Sequence, residues 1–353
     1  MSIASTLASL KEATYADYEL RPATRLDDEP SIPAYICALD LQPKRLGFGI
    51  DSCDALAKLK ALAEAHERAA FFEALEYRSA LWDSNVPLLP ELQSEAYCLD
   101  ALENEYGWTL TESLSGSTYF APLTLFTNDP AKRKLPKKLS VTYGAALGVV
   151  GEIDASSAAV LEAQERTIID HSFRRRFLWK KVNPLEFLSC SIVSEIERCS
   201  LDLFSFRCPG PRDLHIVMTF CVARDGAFAL TAGASASGTL SASVTKSVLE
   251  SLQSRSSRRL YCRANPSALA IEKPSSPLER ACFWGNPRNL GLLNLNDPHG
   301  CNLTERDMPP ERRSYLLDAK TFDASGVEFS IKYAFQFSVI SGGETNTLPT
   351  PFN

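Results

Sequence analysis

The chain has 353 residues, of which 45% are hydrophobic and 23% charged, and a formal net charge of −6. That is the composition of a globular protein long enough to bury a large core. Mild acidity without a basic stripe argues against nucleic acid as the main partner, and no apolar run approaches the roughly 18 residues of a membrane span. The N-terminus, Met-Ser-Ile-Ala-Ser-Thr-Leu-Ala-Ser-Leu-Lys, lacks the basic start and apolar stretch of a secretory signal, so a cytoplasmic protein is expected. Ten cysteines never form a C-x-x-C pair and only four histidines accompany them. They read as small buried apolar residues rather than zinc ligands or disulfides.

In chain order, residues 1–20 read as helix, 21–35 as a proline-bearing loop and 34–41 as a strand. Leu46-Gly47-Phe48-Gly49 reads as the glycine turn that ends a strand. It leads through Asp51, Ser52 and Asp54 into a helix that runs to about Trp82 and carries Glu64-Ala65-His66-Glu67-Arg68. Prolines 87 and 90 stop that pattern. Residues 91–105 are expected to be helical, 109–126 to hold short strands, and 129–138, with Lys132, Arg133, Lys134, Lys137 and Lys138, to form a basic surface loop.

A second unit repeats the first. Tyr143-Gly-Ala-Ala-Leu-Gly148 and a turn through Gly151 precede a helix capped by Asp154 or Ser156 and bearing Glu162, Glu165 and Arg166. Arg174, Arg175 and Arg176 follow it. A third unit is altered: residues 214–223 read as a strand, Asp225-Gly226 as a hairpin turn, and a return strand enters Gly233-Ala-Ser-Ala-Ser-Gly238. Its helix carries Glu250-Ser-Leu-Gln253-Ser-Arg255. From the last glycine to the first glutamate the gaps are 15, 14 and 12 residues. Beyond Arg259 the chain reads as loop-rich to about residue 310, and Phe322 to Val339 alternates as one or two strands. No Ser/Gly linker divides the chain, so one α/β domain over residues 1–353 is expected.

Glutamates at i and i+3 on a helix stand about 5–6 Å apart at the β-carbons and repel each other unless something positive intervenes. A hard divalent cation does this, because Mg²⁺ takes oxygen ligands and bridges carboxylates to phosphates. One Glu-x-x-Glu-Arg by itself is ordinarily a solvated helix face with an i,i+4 pair worth a few tenths of a kcal/mol. Two copies after glycine turns, with a third relative, argue for a shared task.

The three units resemble the YcaO-domain family, most closely the stand-alone heterocyclase (cyclodehydratase) subunit of microcin-type azole/azoline synthetases. The resemblance implies an α/β fold of mixed sheets flanked by helices that bear an ATP and magnesium site. Carried over by position, Glu64, Glu67, Glu162 and Glu165 would hold Mg²⁺, while Arg68, Arg166, Gln253, Arg255 and Glu250 would belong to the ATP site. The chain departs from the family at Lys60, where many members have serine, and at Phe48, where many have lysine. Azoline-forming members end in Pro-x-Pro-x-Pro and insert that tail into the active site. Here the tail (345–353) offers Pro349, Pro351 and Asn353, whose terminal carboxylate would act as general base.

The implied chemistry is cyclodehydration. A Cys, Ser or Thr side chain of a ribosomal precursor peptide attacks the preceding carbonyl, ATP phosphorylates the oxyanion, and phosphate leaves behind a thiazoline or oxazoline. Residues 1–40 form an extension too short to bind a leader peptide, so the resemblance implies a separate ubiquitin-activating-enzyme-like leader-binding subunit and an FMN dehydrogenase. Backbone thioamidation or amidine formation, or a non-catalytic scaffold role, are the alternatives.

Overall fold

The computed structural model describes residues 2–12, 18–39, 46–77, 87–93, 108–122, 139–174, 179–211, 213–224, 228, 230–253, 255–274, 276–293, 295 and 313–339. The basic loop at 131–138, Arg175 and Arg176, the Asp225-Gly226 turn and the tail with Pro349, Pro351 and Asn353 lie outside these residues.

Seven helices are described: α1 (Ile3–Glu12), α2 (Asp54–Tyr77), α3 (Ala155–Arg174), α4 (Cys190–Arg198), α5 (Leu240–Gln253), α6 (Arg255–Ala264) and α7 (Pro277–Gly285). The strands form three sheets. One holds β1 (Tyr18–Pro22), β2 (Ala34–Leu39) and β3 (Leu46–Ile50) in that order. Another runs β5-β4-β11-β12-β6, built from β4 (Trp108–Ser113), β5 (Thr118–Pro122), β6 (Leu139–Val149), β11 (Ser314–Ala324) and β12 (Val327–Val339). The last runs β10-β9-β8-β7, from β7 (Lys180–Val182), β8 (Leu201–Cys208), β9 (His215–Ala223) and β10 (Leu230–Ser237). The α/β class and the flanking helices agree with expectation. The mixed pairing does not: all the described sheet strands pair antiparallel. The cause is local connection, since β8-β9-β10 is a meander and β11-β12 a hairpin. Ser325 (φ 53°) and Gly326 (φ 75°) supply the two left-handed residues of that hairpin's turn.

Each recurring unit is an edge strand followed by a helix laid along it: β3 with α2, β6 with α3, β10 with α5. The close approach explains the glycines. A β-carbon on Gly47 or Gly144 would lie 2.0 Å from the carbonyl oxygen of Ala61 or Ala159, and one on Gly233 would lie 2.3 Å from that of Ser247. These glycines sit inside strands, not in the turns expected from sequence, and they admit a helix backbone that any side chain would push away. The facing helix positions are correspondingly small, being Ala61 and Ala65, Ala159 and Ala163, Ser247 and Ser251. Counted from the equivalent glycine, the first glutamate follows by 17, 18 and 17 residues.

The stretch beyond Arg259 is helical where loop was expected. Pro266, Pro277 and Pro287 each open a helical turn rather than interrupt one, and α7 is started by a Ser276–Glu279 capping box. At the N-terminus the helix ends at Glu12 and β1 begins at Tyr18. Of the helix expected at 91–105, a single 3-10 turn at Pro90–Leu92 is described. Trp179 stacks on Phe206 and Phe220 meets both rings edge-on in the core of the β7–β10 sheet, with Phe173 of α3 and Trp284 of α7 packed edge to face against each other nearby. No described helix is long and apolar enough to cross a membrane.

Candidate active site

An edge strand leaves every second N–H without a partner in its own sheet, and a buried one needs an acceptor. β3, β6 and β10 are all edges, and glutamates supply those acceptors. The N–H groups of Phe48, Ala145 and Ala234, each directly after the close-approach glycine, donate to Oε2 of Glu64 (2.7 Å), Glu162 (2.8 Å) and Glu250 (3.0 Å). The second glutamate of a unit crosses to the next unit's strand. Leu147 N–H donates to Glu67 Oε1 at 2.8 Å, and Ala236 N–H to Glu165 Oε2 at 2.6 Å. Five carboxylates from three helices are thereby tied to three sheet edges, each with one oxygen committed to backbone.

Guanidiniums take two of the remaining oxygens. Arg68 pairs with Glu64 Oε1 and Arg166 with Glu162 Oε1 along their helices. Arg68 also donates to the Leu46 carbonyl at 2.8 Å and lies over the Phe48 ring. Lys60 donates to the Ile50 carbonyl (3.2 Å) and pairs with Asp51 at 2.6 Å. Lys60, and Arg68 with Phe48, therefore cover the outer edge of β3. Among the described residues, Glu67 Oε2, Glu165 Oε1 and Glu250 Oε1 accept no hydrogen bond.

The carboxylates raise one another's proton affinity. Glu165 is pushed up to about 8, first by burial and then by the charges of Glu250 and Glu162. Glu250 rises to about 7, again chiefly through burial, with the Ala234 N–H and Arg166 pulling the other way. Burial, reinforced by Glu162, raises Glu64, and it raises Glu67 further with the help of Glu162 and Glu64. Arg166 is held above the ordinary arginine value, most of all by Glu162. The cluster is not closed: the Glu64 and Glu162 side chains are 29% and 33% exposed and Glu250 stands at the open side, so water screens part of this repulsion.

Sequence reading placed Glu64, Glu67, Glu162, Glu165, Glu250, Arg68 and Arg166 at one site, and the fold brings these together. Two residues go elsewhere. Arg255 is 1% exposed, with Nε 3.0 Å from Glu29 Oε1, an oxygen that also accepts from Arg259. It stands five residues after Glu250, where the other units place arginine four after theirs, and α5 has ended at Gln253, so it faces the 25–30 loop instead. Gln253 lines a notch with Thr24, Glu29 and Ile50. His66, between two site glutamates, is buried and stacked on Phe322. One cation escaped the sequence reading. Arg258 of α6 is depressed by burial while the charge of Glu250 opposes the shift, and it lies eight residues beyond Glu250 on the following helix.

As placed, no three His, Cys, Asp or Glu side chains among the described residues stand close enough to hold a metal ion. The donor set nevertheless fits a hard divalent cation. All five groups are carboxyls, three have an uncommitted oxygen, and a bound cation that drew off their protons would set five negative charges against the three positive ones of Arg68, Arg166 and Arg258.

No family model matches the chain, and no curated protein matches it. Solved structures do. A heterocyclase in complex with substrate and cofactor is 14% identical with a TM-score of 0.60 over 95% of this chain and 52% of that one, so the present chain spans about half its length. YcaO from Methanopyrus kandleri, bound with AMPPCP and Mg²⁺, is 16% identical with a TM-score of 0.59 over 98% of this chain and 92% of that one. The E. coli microcin synthetase McbBCD complex with pro-MccB17 bound is 15% identical with a TM-score of 0.59 over 94% and 89%.

Proposed function

From the premise that this chain has the YcaO fold, we propose that it is an ATP- and magnesium-dependent cyclodehydratase acting, as one domain, on a ribosomal precursor peptide. The observation that carries the reading is the ring of five glutamates clasped to three sheet edges, with an excess of negative charge and three oxygens uncommitted. Glu67, Glu165 and Glu250 would hold magnesium, with Glu64 and Glu162 joining when their arginines turn to phosphate. Bound there, the ion would neutralise phosphate charge. Arg68, Arg166 and Arg258 bind and orient the nucleotide phosphates, since phosphoryl transfer asks the protein mainly for positioning and electrostatics.

In the proposed reaction a Cys, Ser or Thr side chain adds to the preceding peptide carbonyl. The oxyanion takes the γ-phosphoryl group of ATP, giving ADP, and phosphate then leaves with formation of the azoline. The peptide loses the elements of one water: its carbonyl oxygen leaves in the phosphate, and the protons of the nucleophile and of the amide nitrogen pass to base. The segment with Pro349, Pro351 and Asn353 is proposed to enter the active site. A leader-binding subunit and an FMN dehydrogenase are the proposed partners, by analogy with a microcin synthetase that is itself a complex.

The test is to incubate the full chain with ATP, magnesium, a candidate Cys/Ser-rich precursor peptide and a candidate leader-binding subunit. Phosphate release matched one for one by loss of water from the peptide supports the reading. Release matched by a sulfur-for-oxygen exchange replaces it with backbone thioamidation. A non-catalytic scaffold is the second reading, favoured by Phe48 and Lys60 standing where many family members have Lys and Ser. No phosphate release and no change in peptide mass would establish it.

A further inference from the structure

The sheet that carries the third unit has a second charged region, away from the glutamates. In the order β10-β9-β8-β7, β10 is the strand clasped by Glu165 and Glu250, and β7 ends the sheet on the other side. Lys180 of β7 stands directly opposite Arg207 of β8. Arg207 in turn stands opposite Val217 of β9, and His215 lies two residues before Val217. Paired residues, and residues two apart on a strand, share a face, so Lys180, Arg207 and His215 lie on one face. Directly opposite side chains have β-carbons about 4.5–5.5 Å apart and diagonal ones about 7–8 Å, both spans that lysine and arginine cover. Val217 packs with Val244 and Val248 of α5, which covers this face near β9. Toward β7 the face reaches solvent: Lys180 is exposed, and Arg207 and His215 are partly exposed.

Like charges directly opposite each other in a sheet are destabilising, and nothing relieves this pair. Among the described residues no carboxylate forms an ion pair with Lys180 or Arg207. Of the acids on flanking elements, Glu186 in the 3-10 turn after β7 accepts from Asn183 Nδ2 at 2.9 Å, and Asp213 before β9 is exposed and pairs with neither. His215 Nδ1 is buried without a partner. Burial, and after it the charge of Arg207, hold the imidazole below the ordinary histidine value, in keeping with their diagonal placement. α5 starts over the same spot, where Ser243 Oγ of its first turn donates to the His215 carbonyl at 2.6 Å, so the positive end of the helix dipole adds to the field. Lysine on an edge strand ordinarily deters strand addition. Arg207 is one strand in and guards no edge.

The charges select the ligand. A carboxylate is satisfied by a guanidinium alone through two parallel hydrogen bonds, which would leave Lys180 as it was. A phosphate dianion matches both fixed charges and has oxygens for all three side chains. We propose that this face binds one phosphate group, held by Lys180 Nζ, the Arg207 guanidinium and His215 Nε2. A free phosphate ion and a phosphate ester present the same oxygens. The proposal rests on the fold and stands apart from the ATP reading.

The experiment follows the His215 ring signals in the full chain labelled at its four histidines, assigned by His215→Gln, during titration with inorganic phosphate in magnesium-free, low-salt buffer near neutral pH. A saturable shift is expected, half complete at roughly 1 mM, and saturating phosphate should move the ring's titration midpoint upward because a bound anion favours the imidazolium. Arg207→Gln and Lys180→Gln should each weaken binding about tenfold, as loss of a hydrogen bond between charged groups does. Arg166→Gln should leave it unchanged. An equal response to methyl phosphate assigns the site to phosphate esters as well, and a response to inorganic phosphate alone assigns it to the free ion. A His215 signal that phosphate leaves unmoved overturns the proposal. So does an equal shift with acetate or chloride, which would mean general charge screening, and so does loss of the shift in Arg166→Gln, which would place the phosphate among the glutamates. Should a variant fail to fold, the wild-type titration with its acetate and chloride controls decides alone.

Discussion

The first two junctions between units and the third are fastened by different physics. At the first two, a single carboxylate reaches over and accepts a backbone N–H from the neighbouring strand. At the third, between the last unit and the first, that carboxylate is Gln253, and the closure comes from a buried ion-pair set, with Glu29 of the loop before β2 held by Arg255 and Arg259 of α6. The difference teaches what the glutamates are for. Where charge is needed in the middle of the molecule, the acid that holds the strand is the acid that faces the cluster. Where it is not, the acid is replaced and the fastening moves outward.

The comparison breaks most visibly at the third junction. Glu29→Ala strands the guanidinium of Arg255, 1% exposed, leaves Arg259 to Asp28 alone, and should cost about 3–5 kcal/mol in denaturant unfolding. An effect under about 1 kcal/mol would mean that Arg255 and Arg259 find other partners and the loop fastens nothing. Next comes the close approach of strand and helix. Gly144→Ala sets a β-carbon 2.0 Å from the Ala159 carbonyl oxygen, backbone that has nowhere to go, and a loss of about 1–3 kcal/mol is expected.

The first two junctions respond to chemistry rather than bulk. Glu165→Ala leaves the Ala236 N–H unsatisfied and should cost about 1–3 kcal/mol, whereas Glu165→Gln keeps an acceptor there and removes a repelling charge. Equal losses for the two would show that the hydrogen bond does not hold β10. A further effect is one of pH. Glu165 binds its proton more tightly folded, at about 8, than unfolded, near the ordinary carboxylate value of 4.5. Its contribution is fully present below about 4.5 and is lost as pH rises through about 8, so the metal-free protein should weaken across that window. Glu165→Gln should flatten the slope, and an unchanged profile would deny the shift.

Much of the site was legible because one helical turn sets its spacing. Glu64 with Glu67 and Glu162 with Glu165 are neighbours on a helix wherever that helix packs, and arginine four residues on returns to the first glutamate. The glycines were legible as a feature and misread as a role. A glycine that lets a helix touch a strand carries the same letter as one that turns the chain, and only the structurally equivalent set gives an even spacing to the glutamates. Arg255 was misplaced by a single residue, which is 100° around a helix and, past the end of α5, a different face of the molecule. Glu29 had no local signal at all: it lies in a proline-bearing loop more than 200 residues from the arginines it binds. The helical turns between 266 and 292 were hidden by prolines that start them.

The most direct test of the account is calorimetric titration of the full chain with AMPPCP in the presence and absence of magnesium, for the wild type and for Glu165→Gln. Binding by the wild type that requires magnesium, and its loss in a Glu165→Gln protein that unfolds as late as the wild type, is the predicted result. No AMPPCP binding by the wild type with magnesium present would contradict the claim that this carboxylate cluster is a nucleotide site.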